Sequence, residues 1–149
     1  MYSKKVGGSD VKQYLIFCLA NQHYAIETTH VIQVAKEEKV AKLPFLAQPI
    51  KGLMMIRDCV IPIVDTMSKW EAKKSNPNKS KGHIIVMNLR GQILGYWVDE
   101  VIDIGFWREE ELLSIAWSKK LDAKVWIHKV YSKEETLIGI IEPEAFEME

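Results

Sequence analysis

Residues 51–65 read KGLMMIRDCVIPIVD. Two short apolar runs, Leu53–Ile56 and Val60–Val64, are separated by Arg57-Asp58-Cys59. Short apolar runs around a charged break read as the two strands of a hairpin. Pro62 has no backbone N–H, so its strand is expected at a sheet edge or at a bulge. Upstream, residues 43–52 contain Pro44, Pro49 and Gly52 and read mostly as loop. Downstream, TMSKW (66–70) fits one turn of helix.

The same plan extends outward in both directions. YLIFCLA (14–20) reads as a strand, Asn21-Gln22-His23 as a polar turn, and YAIE (24–27) as the returning strand. From Thr28 to Val34 a single helical turn feeds another strand. HIIVMNL (83–89) and QILGYWVDEV (92–101) flank the tight-turn signal Arg90-Gly91, and IDIGFW continues extended. REEELLSI (108–115) is acidic at its start, which suits a short helix. KVWIHKVY (124–131) alternates, TLIGIIE (136–142) reads as the last strand, and PEAFEME caps it. Residues 1–10 read as a loose, flexible tail, and EAKKSNPNKSKG (71–82) as a solvated loop at the boundary between two halves. No long amphipathic helix occurs, and several strands are apolar on both faces. The reading is an all-β protein with short helical turns, built as two small barrels packed together.

Composition narrows the function. The chain has 149 residues, one ordinary domain, with 20 Lys+Arg against 20 Asp+Glu. Zero net charge supplies no field for nucleic acid, and the lysine-rich stretch 69–81 has a single aromatic residue, Trp70 near its start, too little for a stacking platform. No run reaches the roughly 18 apolar residues of a membrane span, so direct membrane insertion is not expected and the chain reads as cytoplasmic. Cys18 and Cys59 lie inside apolar runs without CxxC spacing. They read as small buried hydrophobes in a reducing compartment, with no metal and no cofactor. His23, His30, His83 and His128 are scattered without a motif. Val64-Asp65-Thr66 is the one enzyme-like sequence, reminiscent of the Asp-Thr-Gly turn of aspartic-protease-like hydrolases. Met67 replaces the glycine whose backbone freedom that turn needs. What remains is an interaction module. Its five tryptophans are expected mostly in the core, with one or two as interface anchors.

Four ordered blocks resemble the CheW family of bacterial chemotaxis coupling proteins: QYLIFCLANQHYAIETTHVIQV, LPFLAQPIKGLMMIRDCVIPIVD, GHIIVMNLRGQILGYWVDEVIDI and TLIGIIEPEAF. The resemblance covers residues 12–146 and implies a single CheW-like domain over 11–146. It implies two interleaved SH3-like five-stranded β-barrel subdomains around a shared hydrophobic core. It also implies a non-catalytic cytoplasmic adaptor, recruited to membrane-associated receptor arrays. Such an adaptor bridges a chemoreceptor's cytoplasmic tip and the regulatory domain of a CheA-like histidine kinase. The kinase contact is apolar and edge-to-edge; the receptor's helical hairpin enters a groove between the barrels. Carried over by alignment, that groove takes Thr28, Gln33, Val34, Leu94 and Val101, with Arg57 at its edge, while Val31 and Gly52 are coupling-sensitive. The chain departs from the family at Asp58, where a glycine is usual, at Gln33, usually acidic, and at Tyr96-Trp97, usually small and apolar. YSKEET replaces a glycine-rich turn and Glu142 replaces Asp or Asn. These departures leave open an adaptor of the pilus-driven twitching type.

Overall fold

A computed structural model describes residues 10–66, 82–117 and 126–147. The chain forms eleven strands joined by short 3₁₀ turns: β1 (Lys12–Leu19), β2 (Gln22–Glu27), β3 (Val31–Lys36), β4 (Ile50–Ile56), β5 (Cys59–Asp65), β6 (His83–Leu89), β7 (Gln92–Val98), β8 (Glu100–Trp107), β9 (Leu113–Ser114), β10 (Ile127–Lys133) and β11 (Thr136–Ile141). The 3₁₀ turns are Thr28–His30, Glu37–Lys39, Glu109–Glu111 and Pro143–Phe146. The fold is all-β, as its alternating and doubly apolar segments require. The two expected subdomains take the form of two mixed sheets, neither of them closed into a barrel. One has six strands in the order β8-β1-β2-β11-β10-β9, the other five in the order β3-β6-β7-β5-β4, and both orders are open.

The structure divides into two compact units, and the chain passes from one to the other after Phe17, Asn21, Thr29 and Val101. The polar stretch 71–82 is therefore not the boundary, because β5 and β6 on either side of it belong to the same unit. That stretch, apart from Gly82, lies outside the described residues, as do Trp70, most of the expected turn 66–70, the start of KVWIHKVY and residues 1–9 of the tail.

The six-stranded unit is centred on Trp107. Its ring stacks on Tyr131 at 4.1 Å and on Tyr14 at 5.1 Å, with Ala25, Leu112 and Ile138 completing the buried cluster. Gly105 makes this possible: a Cβ there would meet the Trp107 ring at 2.6 Å. β2 and β11 pair in parallel, Tyr24 opposite Gly139, so the two ends of the sequence share one sheet. The acidic segment after β8 forms the expected short helical turn, a 3₁₀ turn of three residues, Glu109–Glu111. The Arg108 N–H donates to Glu111 Oε1 at 2.9 Å and the Glu111 N–H returns to the Arg108 carbonyl at 2.9 Å.

The five-stranded unit packs Met54, Ile61, Ile63, Ile84, Val86 and Trp97 on one face. The opposite residues of its central strands, Ile85, Met87, Tyr96 and Val98, are buried too, which is why HIIVMNL shows no polar alternation. Pro62 lies on a strand with neighbours on both sides, against the expectation of an edge or a bulge. Register explains its tolerance. The turn closes on Ile56–Cys59, and counting from there Leu53–Pro62 is a non-hydrogen-bonded pair, so β4 asks no N–H of Pro62. β7 pairs with β5 only from Ile63 to Asp65.

Four hairpins turn in two residues: Ala20-Asn21, Arg57-Asp58, Arg90-Gly91 and Glu134-Glu135. Left-handed backbone occurs at Ala20, Asn21, Arg57, Arg90, Gly91 and Glu134. The first turn thus precedes the expected Asn21-Gln22-His23. At the second, Arg57 (φ 53°) takes the left-handed conformation and Asp58 does not, so the absent family glycine imposes no such strain at 58. The cysteines correct the reading of buried hydrophobes: Cys18 is half-buried and Cys59 exposed, because Cys59 opens β5 beside the turn. Trp97 and Trp107 are core residues; Trp117 and Trp126 are exposed.

Candidate docking surfaces

Backbone register gathers several of the candidate residues on β3 and its neighbours. Val31 pairs with Met87, which pairs with Leu94. Val34 starts a row that continues through Ile85, Tyr96, Val64 and Ile50 across all five strands. The register shift between Val31 and Gln33 is the local device that matters here. A residue three positions along a regular strand faces the other way. The extra residue, Ile32, restores Val31 and Val34 to one face, the face of Met87 and Ile85. Gln33 starts the alternate row, Val86–Gly95–Ile63–Gly52, and is exposed at the sheet edge.

The remaining candidates have individual settings. Leu94 is only 6% exposed and is a core residue of β7. Gly52 is buried, and a Cβ on it would fall 2.6 Å from the Ala41 carbonyl oxygen and 2.6 Å from Val40 Cγ1. The 40–41 backbone lies that close because Ala41 and Leu53 exchange N–H···O bonds of 2.7 and 2.9 Å. Arg57 is exposed on the β4–β5 turn. Val101 is half-buried, and its N–H donates to His83 Nδ1 at 3.2 Å. Thr28, in the six-stranded unit, donates its hydroxyl to the Gln13 carbonyl at 3.3 Å, which ties the 3₁₀ turn to β1.

Three features were not singled out from the sequence. Met55 and Val60 stand directly opposite each other on the β4–β5 hairpin and are 69% and 59% exposed. Their neighbours are equally apolar, so no alternation marked them as outward. Asp99 accepts the Ala20 N–H at 2.8 Å and donates its own N–H to the Cys18 carbonyl at 3.1 Å, pinning the β1–β2 turn. Asp99 lies in the block GHIIVMNLRGQILGYWVDEVIDI, but nothing local names a partner 79 positions away. Trp97 carries the Lys51 ammonium 3.7 Å and the Lys42 ammonium 5.3 Å from its ring centre, cation–π contacts that cover this large side chain. Asp65 ends β5 with its N–H on the Pro49 carbonyl at 2.8 Å, the setting of a strand terminus. Among the described residues no group of three His, Cys, Asp or Glu side chains could hold a metal ion, and no helix is long and apolar enough to cross a membrane.

The CheW-like domain family matches residues 13–147. The chain belongs to that family. It is similar to the chemotaxis protein CheW of Bacillus subtilis, 25% identical over 134 residues that cover 90% of this chain and 85% of that protein. It is also similar to chemotaxis protein CheW of Klebsiella aerogenes, 28% identical over 102 residues, 68% of this chain and 61% of that protein. The crystal structure of the scaffolding protein TtCheW from Thermoanaerobacter tengcongensis superposes with a TM-score of 0.74 at 25% identity, covering 92% of this chain and 93% of that one. As a CheW-like protein the chain is a chemotaxis scaffold rather than an enzyme.

Proposed function

We propose that this CheW-like chain couples the cytoplasmic tip of a chemoreceptor to the regulatory domain of a CheA-type histidine kinase, at membrane-associated receptor arrays. The observation that carries the reading is the placement of two different surfaces on opposite edges of one sheet. β3 is one edge, with Val34 and Gln33 exposed; β4 is the other, with Met55 exposed beside Val60 on β5. The apolar Met55–Val60 pair suits an edge-to-edge apolar contact with the kinase domain. The β3 edge, with a polar Gln33 beside apolar Val34, suits a helical hairpin that needs an apolar surface and a few polar pins. Arg57, on the β4–β5 turn, stands beside the Met55–Val60 pair rather than on the β3 edge, as the cationic group at the border of the receptor groove. Val31, Leu94 and Gly52 support these surfaces from within the sheet.

Binding of the chain to a receptor-tip fragment and to an isolated kinase regulatory domain tests the reading. Met55→Glu places a charge in the apolar pair and is expected to weaken kinase-domain binding at least tenfold while the receptor tip still binds. Retention of neither partner by the native chain would overturn the function. Loss of both partners in Met55→Glu with the fold intact would overturn the assignment of surfaces.

A further inference from the structure

Val101 is held by a bond that requires a neutral imidazole. Its backbone N–H donates to His83 Nδ1 at 3.2 Å. A histidine ring accepts a hydrogen bond only when neutral; as imidazolium both nitrogens are donors. The ring therefore carries its proton on Nε2, and a second proton would set two N–H groups against each other.

The setting gives this bond leverage over a defined stretch of backbone. His83 opens β6 and is half-buried between Lys36 of β3 and Val98 of β7, its partners in register. Of these two partners Lys36 is charged, and the acidic Asp99 and Glu100 follow Val98 along the chain. Between Val98 and Val101 the chain is fixed at two points. Asp99 is fixed by the Ala20 N–H at 2.8 Å and the Cys18 carbonyl at 3.1 Å, and Val101 by His83. Protonation of the ring removes the acceptor of Val101 and leaves the carboxylate acceptor of Ala20 in place.

We propose that His83 is a proton-operated latch on the connection between β7 and β8. When neutral it fixes Val101. When protonated it releases the Val101 amide while Asp99 keeps its hold. The latch stands apart from partner binding. Its consequence for the receptor rests on the reading of Val101 as a receptor-facing residue.

Two-dimensional amide NMR of the full chain between pH 5 and 8 tests it. The Val101 amide is expected to move with the same midpoint as the His83 ring. Its protection from hydrogen exchange is expected to fall about tenfold across that midpoint, while the Ala20 amide, held by Asp99, keeps its protection. His83→Asn offers a carbonyl acceptor that does not titrate, so Val101 should stay protected at every pH. His83→Phe offers none, so Val101 should be unprotected throughout. A Val101 amide indifferent to the ring's titration, or one that moves equally in His83→Asn, overturns the latch. In parallel, receptor-tip binding should weaken on acidification in the native chain and not in His83→Asn. A flat binding curve beside a moving Val101 amide removes Val101 from the receptor surface and leaves the latch standing.

Discussion

Gly52 shows how a single position joins packing to the candidate surface. Its missing Cβ is what lets the 40–41 backbone approach β4, so Gly52→Ala must push Ala41 away and strain both of its bonds to Leu53. A cost of about 2 kcal/mol is expected from such overpacking, read as a lower urea midpoint, and any loss of coupling in that variant follows from the displaced β4 edge. Tyr14 gives a prediction in pH. Burial raises its phenol above the ordinary value, and the Glu27 and Glu142 carboxylates raise it further. The neutral phenol is favoured in the folded chain, so this contribution to stability is complete below about pH 10, the unfolded value. It is lost as pH rises from there through the higher folded value. Urea midpoints measured between about pH 9 and 12 should fall in the native chain and fall less steeply in Tyr14→Phe. At this scale the sequence is least legible. Gly52 is visible as a glycine, but the 40–41 backbone that crowds it is not, and Asp99 is visible within its block without its partner Ala20.

The β4–β5 hairpin is the element on which the reading of the sequence turned, and it was legible because Arg57-Asp58 interrupts two apolar runs. Which side chains face outward was not legible. Met55 and Val60 are as apolar as buried Met54 and Ile61, and only the sheet order leaves the first pair uncovered. The bulge at Ile32 was hidden for a similar reason: Val31, Ile32 and Val34 fit either a turn or a strand, and the partner strand β6 decides. The turn itself separates backbone from side chain. Arg57 is left-handed, a conformation that costs a non-glycine residue roughly 1–2 kcal/mol, and Gly loses roughly 0.5–1 kcal/mol of that advantage to chain entropy. Arg57→Gly should therefore fold as stably as the native chain or slightly more so, while Arg57→Ala keeps the strain. Both remove the guanidinium, so both should weaken receptor-tip binding. Native binding by both variants would show that the receptor does not sense the guanidinium.

For the whole molecule, the all-β class follows from pattern alone, but strand order does not. The parallel pairings β2–β11 and β5–β7 join segments that local sequence leaves unconnected, and they set which strands become edges. Those edges govern the last prediction. β3 and β4 bound the same five-stranded sheet, so an adaptor that uses both holds its two partners on one rigid element. Bridging of this kind has a concentration signature. With receptor tip and kinase domain held fixed, the three-part complex should rise with added adaptor, pass a maximum, and fall as separate copies saturate each partner. Val34→Glu should keep the kinase domain and lose the receptor tip, so it should form no bridge and should compete with the native chain for the kinase. Met55→Glu should do the converse. Light scattering or pull-down of the ternary complex reads the curve. A complex that grows monotonically to saturation would mean that the partners contact each other more strongly than they contact the adaptor. The two sheet edges would then be auxiliary to a direct kinase–receptor contact.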